Sequence, residues 1–326
     1  MRLSARLVLA GLTMMVGGSV ASCSAAPGLA YAGGTTKPSP RISTASVPAS
    51  NQAPAKTAPA GPHIVVVGAP RGVKAKAGIV ADAATGQVLW AKAGYAIRPI
   101  ASLTKVMTAL VVIRAGSLDR KIRIPKSVLN YVAKYGANGA GLIPGQVVTA
   151  GELLQALLLV SGADAAYTLA TSYGPGMGAF IAKMNATARE LGLTHTRFTS
   201  PDGLPYPTGN STYSTPAEML ELGEVAMRAP AFRSIVDERF FSMKKGPGHS
   251  SYWWGNSNEL IGWYPGAIGI KTGFTVVAGH CLMFEAVRGG RALIGVVLGS
   301  PPTGPGAGAQ DAARLLNWGF SLKQST

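Results

Sequence analysis

The sequence predicts a mixed fold of the α/β (α+β) class, in which one antiparallel sheet is formed by strands from both ends of the folded region. Strand patterns lie within residues 78–91 and again within 267–298, and helical patterns fill the interval between them. Hydrophobic residues make up 47% of the 326 residues, which is ample for a core. We therefore expect the helices to form an insertion between the two parts of the sheet.

The first predicted elements are a hairpin and a buried helix. Residues 78–82 and 87–91 flank an Ala-Thr-Gly segment with Gly86 in the turn, which is typical of two antiparallel strands. Residues 106–113 are almost entirely apolar. Because a helix that is apolar on all faces has no side to turn to water, this helix is expected to be buried.

Three further helices follow in the middle of the chain. Thr149 and Glu152 have the spacing of a capping box, which predicts a helix over residues 153–160. A second helical pattern covers residues 178–191 and ends before a glycine, as helices commonly do. The third covers residues 216–228 and begins with a proline, whose missing N–H is tolerated in a first turn.

The C-terminal third returns to strands. Residues 267–271, 280–287 and 292–298 read as three strands, and an Arg-Gly-Gly turn joins the last two. An amphipathic pattern over residues 310–320 predicts a closing helix. These strands and the N-terminal hairpin together account for the predicted sheet.

The N-terminus has the pattern of a secretory signal peptide. Two arginines precede an apolar run over residues 7–20, which is too short to span a bilayer comfortably. The run ends in Val-Ala-Ser-Cys23, which looks like a bacterial lipobox, so residues 1–22 are expected to be removed and Cys23 lipidated. Ordinary cleavage after Ala32 is the alternative. Either route predicts an extracytoplasmic protein of the cell envelope, with the membrane reached only through a lipid anchor at Cys23.

Residues 23–76 are predicted to be a linker, and residues 77–326 the folded domain. Much of the linker consists of Pro, Ala, Ser, Thr and Lys, which cannot bury a core. Eight basic residues precede Asp82, the first acidic residue, and carry half of the net charge of +16. A basic chain suggests an anionic partner. Because the predicted export separates the protein from nucleic acid, we expect no nucleic-acid partner and relate the charge to an anionic envelope.

Cysteine and histidine are too few for a disulfide framework or a metal site. Cys23 and Cys281 are the two cysteines, and the four histidines lack ligand spacing, so no cofactor is expected. Cys281 lies in an apolar predicted strand and is expected to be a small buried hydrophobe. His195 and His249 have no acidic residue at motif spacing, which disfavours a Ser-His-Asp triad.

A serine and a lysine one helical turn apart carry the chemical interpretation. Ser102 and Lys105 share one face at the start of the predicted buried helix. Serine is a weak nucleophile until a base removes its proton, and lysine is a base only when its amine is neutral. Burial and a second cation both lower the pKa of a lysine. Lys271 on a predicted strand is the candidate cation, and Ser161 after the 153–160 helix is a candidate second hydroxyl.

Together the three motifs resemble a known family. Ser-x-x-Lys at Ser102, a serine triplet at Ser161 and Lys-Thr-Gly at Lys271 occur in the order expected of serine–lysine acylases. The chain is similar to the low-molecular-mass penicillin-binding proteins, which are serine-type D-alanyl-D-alanine carboxypeptidases, over about residues 79–320. The matching stretches are residues 98–110, 144–149, 158–166, 200–204, 213–216, 269–275, 279–282 and 288–291.

The resemblance implies both a fold and a reaction. The fold would be β-lactamase/transpeptidase-like, with helices on both faces of the sheet and an inserted helical subdomain. Ser102 would attack the carbonyl between the two terminal D-alanines of a peptidoglycan stem peptide, Lys105 would take its proton, and Ser161 would relay a proton to the leaving amine. β-Lactams would acylate the same serine.

The resemblance also implies a substrate-binding strand. Lys271 and Thr272 would bind the terminal carboxylate, and Lys271 would help to depress the pKa of Lys105. Gly273 would let the substrate backbone lie close to the strand. The backbone N–H groups of Ser102 and Phe274 would form the oxyanion hole.

One departure from the family pattern keeps other activities open. Ala163 stands where the family's Ser-x-Asn triplet has an asparagine that contacts the substrate amide carbonyl and the catalytic lysine. Losing one such hydrogen bond costs about 1–3 kcal/mol, which slows an enzyme without abolishing it. The alternatives are a catalytically weak penicillin-binding or peptidoglycan-binding protein, an endopeptidase, and a β-lactamase.

Overall fold

A five-stranded antiparallel sheet lies at the centre of the part of the chain that the computed structural model describes, residues 66–302 and 306–323. The strands in chain order are β1 (Ala77–Asp82), β2 (Val88–Lys92), β3 (Arg98–Pro99), β4 (Lys121–Arg123), β5 (Val147–Thr149), β6 (Tyr213–Ser214), β7 (Phe240–Met243), β8 (Tyr252–Gly255), β9 (Ala267–Thr275), β10 (Gly279–Arg288) and β11 (Arg291–Ser300). The sheet has the order β2-β1-β11-β10-β9, and the other strands pair as β3–β6, β4–β5 and β7–β8.

Helices lie on both sides of this sheet and form a separate helical region. They are α1 (Thr104–Ala115), α2 (Ser127–Tyr135), α3 (Ala150–Leu158), α4 (Ala163–Tyr173), α5 (Met177–Glu190), α6 (Pro216–Met227), α7 (Pro230–Asp237) and α8 (Ala307–Ser321). Helix α8 packs on β10 and β11, whereas α6 contacts β1, β10 and β11. Helix α1 contacts α3, α4, α5 and α6, so it lies at the centre of the helical region.

The two ends of the domain meet in the sheet as predicted. β1 pairs antiparallel with β11 in a register that places Ala77 opposite Leu298. All six residues of β1 are buried, because both faces of the sheet are covered by helices. In the described part of the chain, β9 is the outer strand at one side, and one of its edges has no neighbouring strand.

Alternate residues along the strands supply two hydrophobic clusters. Phe284 and Leu293 pack with Leu315 of α8 on one face of the sheet. Met283 and Ile294, the neighbours of these two residues on their strands, belong to the larger cluster that contains α1. The period of two in β10 and β11 therefore divides the core into two layers.

The predicted elements are present, with shifted ends. The capping box is formed, since Thr149 Oγ1 accepts from the Glu152 N–H at 3.1 Å and Glu152 Oε2 accepts from the Thr149 N–H at 2.7 Å. The helix it opens ends at Leu158 rather than Val160, because the chain turns sharply at Ser161, where φ is +61°. β9 extends four residues beyond its predicted end and reaches Thr275.

Several elements are absent from the sequence prediction. These are α2, α4, α7 and the six strands β3 to β8. Helix α4 begins with Ala-Asp-Ala-Ala, which has no clear apolar stripe, and its stability comes from burial of seven of its residues. The short strands consist of two to four residues, too few to show a period of two.

The chain before the first strand is already attached to the domain. Ala75 is fully buried, its carbonyl accepts from Lys92 Nζ at 2.8 Å, and the Lys74 N–H donates to Asp311 Oδ1 at 2.9 Å. Among the described residues, no helix has both the length and the apolar character needed to cross a bilayer. The predicted signal peptide, Cys23 and the linker up to residue 65 lie outside the described residues.

Candidate active site

Ser102 lies in a single 3-10 turn, Ala101–Leu103, that leads directly into α1. Ala101 has φ of +48°, in the left-handed region, and this turns the chain into the helix. Lys105 Nζ donates a hydrogen bond to Ser102 Oγ over 3.0 Å. The structure therefore brings serine and lysine together as the spacing predicts, with Ser102 just before the α-helix rather than inside it.

Lys105 is buried, and its amine has one further partner. Its side chain is 2% exposed, and Nζ also donates to the backbone carbonyl of Asp202 at 2.9 Å. Burial lowers the pKa of Lys105 to about 8. The carboxylates of Asp202 and Asp164 act in the opposite direction, but their effect is smaller. Lys105 thus has a substantial neutral fraction near physiological pH, which a general base requires.

The turn at Asp202 packs against the Ser102 turn. The Asp202 carboxylate accepts from Tyr131 Oη at 2.9 Å and from the Leu204 N–H at 3.2 Å. Gly203 has φ of +83°, and a Cβ there would lie 1.8 Å from the carbonyl oxygen of Ala101. Only glycine permits this contact. The sequence pattern Ser-Pro-Asp-Gly indicated a turn, but nothing in it showed that Asp202 reaches Lys105.

Lys271 lies on β9 beneath the edge of the sheet and is 1% exposed. Its Nζ donates to the carbonyl of Thr272 at 3.1 Å, and Thr272 Oγ1 lies 2.8 Å from Ser257 Oγ. Burial lowers the pKa of Lys271 well below its usual value, and repulsion from Lys105 lowers it further. For Lys105 too, burial rather than the charge of Lys271 is the main cause of the lowered pKa.

Gly273 brings the edge strand against the serine turn. A Cβ on Gly273 would lie 3.0 Å from the backbone nitrogen of Ser102, so a side chain would force the two apart. Phe274 follows on the same strand, with half of its side chain exposed and its ring 4.7 Å from the ring of His280. The predicted oxyanion donors, Ser102 and Phe274, thus belong to segments in close contact.

Ser161 projects from the turn between α3 and α4. Its φ of +61° is unusual for a residue other than glycine and is associated with functional positions. Ala163 begins α4 and its N–H donates to the Asn138 carbonyl at 2.8 Å. Asp164 faces the loop before β5, where it accepts from the Ala140 N–H at 2.8 Å. Asp164 therefore does not occupy the place of the family's asparagine.

These segments surround one cavity of about 410 Å³. Ser102 lies between the helical region, which contributes Ser161, and the sheet, which contributes Thr272, Gly273 and Phe274. Lys105 and Lys271 are buried outside its lining, close to the residues that form it. Several lining residues had no place in the sequence prediction of the site, among them the polar residues Asn138, Ser257 and Glu259. A serine nucleophile, a buried amine and an open strand edge are what acyl transfer to serine needs.

The cysteine and histidine candidates do not form a second active site in the described part of the chain. Cys281 is 2% exposed and burial raises the pKa of its thiol to about 11, so it is inert as a nucleophile, as predicted. His195 does meet an acidic partner, since its Nδ1 lies 3.0 Å from Glu218 Oε1, but this pair is not among the cavity residues. Within residues 66–302 and 306–323, no cluster of three or more His, Cys, Asp or Glu side chains could hold a metal ion.

Comparison with known proteins identifies the family. The model of the peptidase S11 family, described as D-alanyl-D-alanine carboxypeptidase, matches residues 64–302. The chain belongs to this family. It is accordingly a serine D-Ala-D-Ala carboxypeptidase by class, a hydrolase, which confirms the resemblance found in the sequence.

Two relatives of the D-alanyl-D-alanine carboxypeptidase family are 40% identical to the chain. The D-alanyl-D-alanine carboxypeptidase of Streptomyces sp. strain K15 aligns over 263 residues, covering 77% of this chain and 88% of the relative. D-alanyl-D-alanine carboxypeptidase DacB2 of Mycobacterium tuberculosis aligns over 245 residues, covering 75% and 81%. The crystal structure of the Streptomyces K15 DD-transpeptidase superposes with a TM-score of 0.73 at 38% identity, covering 78% of this chain and all of that one. This likeness confirms the expected transpeptidase-like fold.

Proposed function

We propose that this protein is an exported carboxypeptidase that removes the terminal D-alanine from peptidoglycan stem peptides through an acyl-enzyme on Ser102, and that β-lactams acylate the same serine. The observation that carries the proposal is the 3.0 Å hydrogen bond between Lys105 Nζ and Ser102 Oγ, formed by a buried lysine with a lowered pKa. Ser102 lines a cavity beside the outer edge of β9, where an extended peptide can bind.

The reaction begins with a proton transfer. The neutral amine of Lys105 takes the hydroxyl proton of Ser102 while Oγ attacks the carbonyl between the two D-alanines. The negative charge on that carbonyl oxygen develops beside the N–H groups of Ser102 and Phe274. The C–N bond then breaks, and the leaving amine receives the proton from Lys105 by way of the Ser161 hydroxyl.

Water completes the turnover. Lys105, neutral again, removes a proton from the water that attacks the ester on Ser102. The ester C–O bond then breaks, Lys105 returns the proton to Ser102 Oγ, and the shortened peptide leaves. The net reaction consumes one water and yields free D-alanine. The terminal carboxylate of the substrate is placed at Thr272, whose hydroxyl lies 3.3 Å from Lys271 Nζ. The negative charge of the bound carboxylate favours the protonated form of Lys271, which opposes the lowering of its pKa by burial.

Intact-mass analysis with a β-lactam tests the acylation step. Benzylpenicillin is expected to add one covalent equivalent to the full chain, and peptide mapping is expected to place it on Ser102. Ser102→Ala should remove the adduct, and release of D-alanine from a stem pentapeptide should stop. An adduct that persists in Ser102→Ala, or on another residue, would overturn the proposal.

A second candidate is a penicillin-binding protein that turns over poorly. Ala163 favours it, because a methyl group offers no hydrogen bond to a substrate amide. D-Alanine release by the wild type and by Ala163→Asn separates the two candidates. A wild-type rate within a few-fold of the variant supports the carboxypeptidase, whereas a variant faster by about 5- to 150-fold supports weak wild-type turnover.

Export with lipidation of Cys23 is part of the same proposal. Arg2 and Arg6 before the short apolar run, and Cys23 directly after it, support a lipid-anchored protein of the cell envelope. Recovery of the mature protein from the membrane fraction with a diacylglyceryl mass on Cys23 is expected. Cys23→Ala should release the protein from that fraction. An unmodified mature N-terminus at residue 33 would instead establish ordinary cleavage.

A further inference from the structure

Asn138 is the loop residue that brackets the Ser161 turn. Its backbone carbonyl accepts from the Ala163 N–H at 2.8 Å, after the turn. Its side-chain Nδ2 donates to the Val160 carbonyl at 2.8 Å, before the turn. One asparagine thus contacts the chain on both sides of Ser161, so its amide is held at a fixed position relative to that hydroxyl.

The loop that carries Asn138 is itself anchored from behind. Asp164, 4% exposed, accepts from the Ala140 N–H at 2.8 Å and from the Leu142 N–H at 3.0 Å. Trp254 Nε1 donates to the Ala140 carbonyl at 2.9 Å. These bonds leave little freedom two residues from Asn138. A side chain on such a loop loses little entropy when it binds a ligand.

The Asn138 amide retains unused hydrogen-bonding groups that face the cavity. The residue is exposed and lines the same cavity as Ser102, Ser161 and Thr272. Among the described residues, Oδ1 accepts no hydrogen bond and Nδ2 makes only the one to Val160, so a second N–H is free. A primary amide has two N–H donors and one acceptor oxygen, and this one has one N–H and the oxygen available.

A peptide bound along β9 would need such a group. The outer edge of β9 offers backbone groups to one side of an extended peptide. The backbone groups on the peptide's other side then face the helical region, which contributes Asn138, Val160 and Ser161 to the cavity. Each of those groups left unpaired costs free energy on binding. Asn138 is the lining residue from that region with an amide side chain.

We infer that Asn138 binds the substrate, donating from Nδ2 to the amide carbonyl of the residue before the penultimate D-alanine. Lys105 does not need an asparagine at position 163, because the Asp202 carbonyl already accepts from its amine at 2.9 Å. Asp202 and Asn138 together therefore supply the two contacts that the methyl group of Ala163 lacks. This inference rests on the proposed function and names a further substrate-binding residue for it.

Two β-lactams that differ in one carbonyl test the inference. Benzylpenicillin carries an acylamino carbonyl in the position of the substrate amide, whereas 6-aminopenicillanic acid lacks it. In the full chain, Asn138→Ala is expected to slow acylation of Ser102 by benzylpenicillin about 5- to 150-fold. Acylation by 6-aminopenicillanic acid is expected to stay within about twofold of the wild type, because no carbonyl is present to lose its donor.

The controls separate binding from loop stability and from the proposed function. Asn130→Ala removes another exposed amide, on α2 and outside the cavity lining, and should slow neither compound. Equal slowing of both compounds by Asn138→Ala would assign the residue a structural role and overturn the inference, as would no slowing of either. Wild-type protein that is not acylated on Ser102 at all would instead overturn the proposed function.

Discussion

In the proposed reaction Lys105 first accepts a proton and later donates it. Its surroundings favour the neutral state that the first step needs. Burial lowers its pKa, and both of its hydrogen-bond acceptors, Ser102 Oγ and the Asp202 carbonyl, are uncharged. No carboxylate makes a direct ion pair with its amine in the described part of the chain, which would stabilise the charged form.

The pH dependence of acylation follows from this lysine. The rate of Ser102 acylation by benzylpenicillin is expected to rise with pH through about 8 and then level off. At pH 7 about a tenth of the Lys105 amines are neutral, against roughly 0.03% for an ordinary lysine. Stopped-flow mixing between pH 5.5 and 9.5 measures the profile. A rate that is independent of pH in this range would exclude Lys105 as the base.

Gly203 determines how closely the Asp202 turn approaches the serine turn. Gly203→Ala places a methyl group on the Ala101 carbonyl, so the Ser102 turn must move. Displacement of a nucleophile by about 1 Å costs about 100-fold in rate, and acylation should fall by about that factor. Gly86→Ala is the matched control, since its φ is also positive but nothing lies within 4 Å of the added methyl. It should cost about 1 kcal/mol of stability and leave acylation unchanged. Equal acylation rates in the two variants would contradict the contact.

At the scale of single residues, the sequence motifs predicted side chains that the structure brings together, but not the contacts that support them. Ser102 and Lys105 are three residues apart, so helical geometry alone places them together. Lys105 and Asp202 are 97 residues apart, and the hydrogen bond between them is made by a backbone carbonyl. No side-chain type marks such a contact, so the sequence carried no signal for it. Asn138, which lines the cavity, was missed because no motif marks an isolated asparagine in a loop.

At the scale of elements, α3 supports the turn that holds Ser161. Both hydrogen bonds of its capping box are formed, and seven of its nine residues are buried. The first turn of the helix is thus tied to Thr149 at one end, while the other end leads to Ser161 within three residues.

Removal of the capping hydroxyl of Thr149 tests how much the start of α3 contributes to the stability of the protein. Thr149→Ala is expected to lower the free energy of unfolding by about 0.5–2 kcal/mol, because the Glu152 N–H loses its acceptor. Thr149→Ser keeps the hydroxyl and should lose only a small part of this. Chemical denaturation measures both, and acylation at temperatures well below unfolding should be unaffected. A fully stable Thr149→Ala variant would show that packing alone holds the helix.

Elements with a strong pattern were predictable, and elements formed by context were not. The continuous apolar runs of β10 and β11 identified buried strands. The end of β9 was missed because Thr272–Thr275 lacks the apolar character of a central strand. Its residues lie at the edge of the sheet, where the cavity rather than the core covers them. The part of β9 with the weak strand pattern is therefore also the part that lines the cavity.

At the scale of the whole molecule, two buried lysines make the site unfavourable for stability. The pKa of Lys105 is about 8 in the folded protein and near 10.5 in the unfolded chain, so the unfolded chain binds more protons between these values. Stability therefore rises as the pH increases from 8 to 10.5, and is lower at and below pH 8.

The variant Lys105→Met measures how much stability the protein loses by burying this lysine. The variant is expected to be inactive but more stable than the wild type at pH 7, by up to about 3 kcal/mol. The difference should shrink as the pH rises toward 10.5, because the lysine of the unfolded chain then also begins to lose its proton. Denaturant unfolding at pH 7 and pH 10 measures it. A difference that is the same at both pH values would show that packing, not charge, is responsible.

The sequence predicted one feature of the architecture, a sheet that contains strands from both ends of the domain. The sequence showed strands at each end and helices between them, and β1 does pair with β11. The position of β9 at the edge did not follow from those strand patterns, because strand order depends on packing between distant segments. The proposed peptide-binding site depends on that position.

The pairing of β1 with β11 also has a consequence for folding. Ala77 pairs with Leu298, so the central strands cannot come together until nearly the whole domain has left the ribosome. Closing a loop of that length is entropically costly, and chains with many such distant pairings fold slowly. A chain that completes its sheet only at its end remains unfolded for longer during synthesis. Slow closure of this kind would suit a protein that must cross a membrane before it folds, as the proposed signal peptide requires.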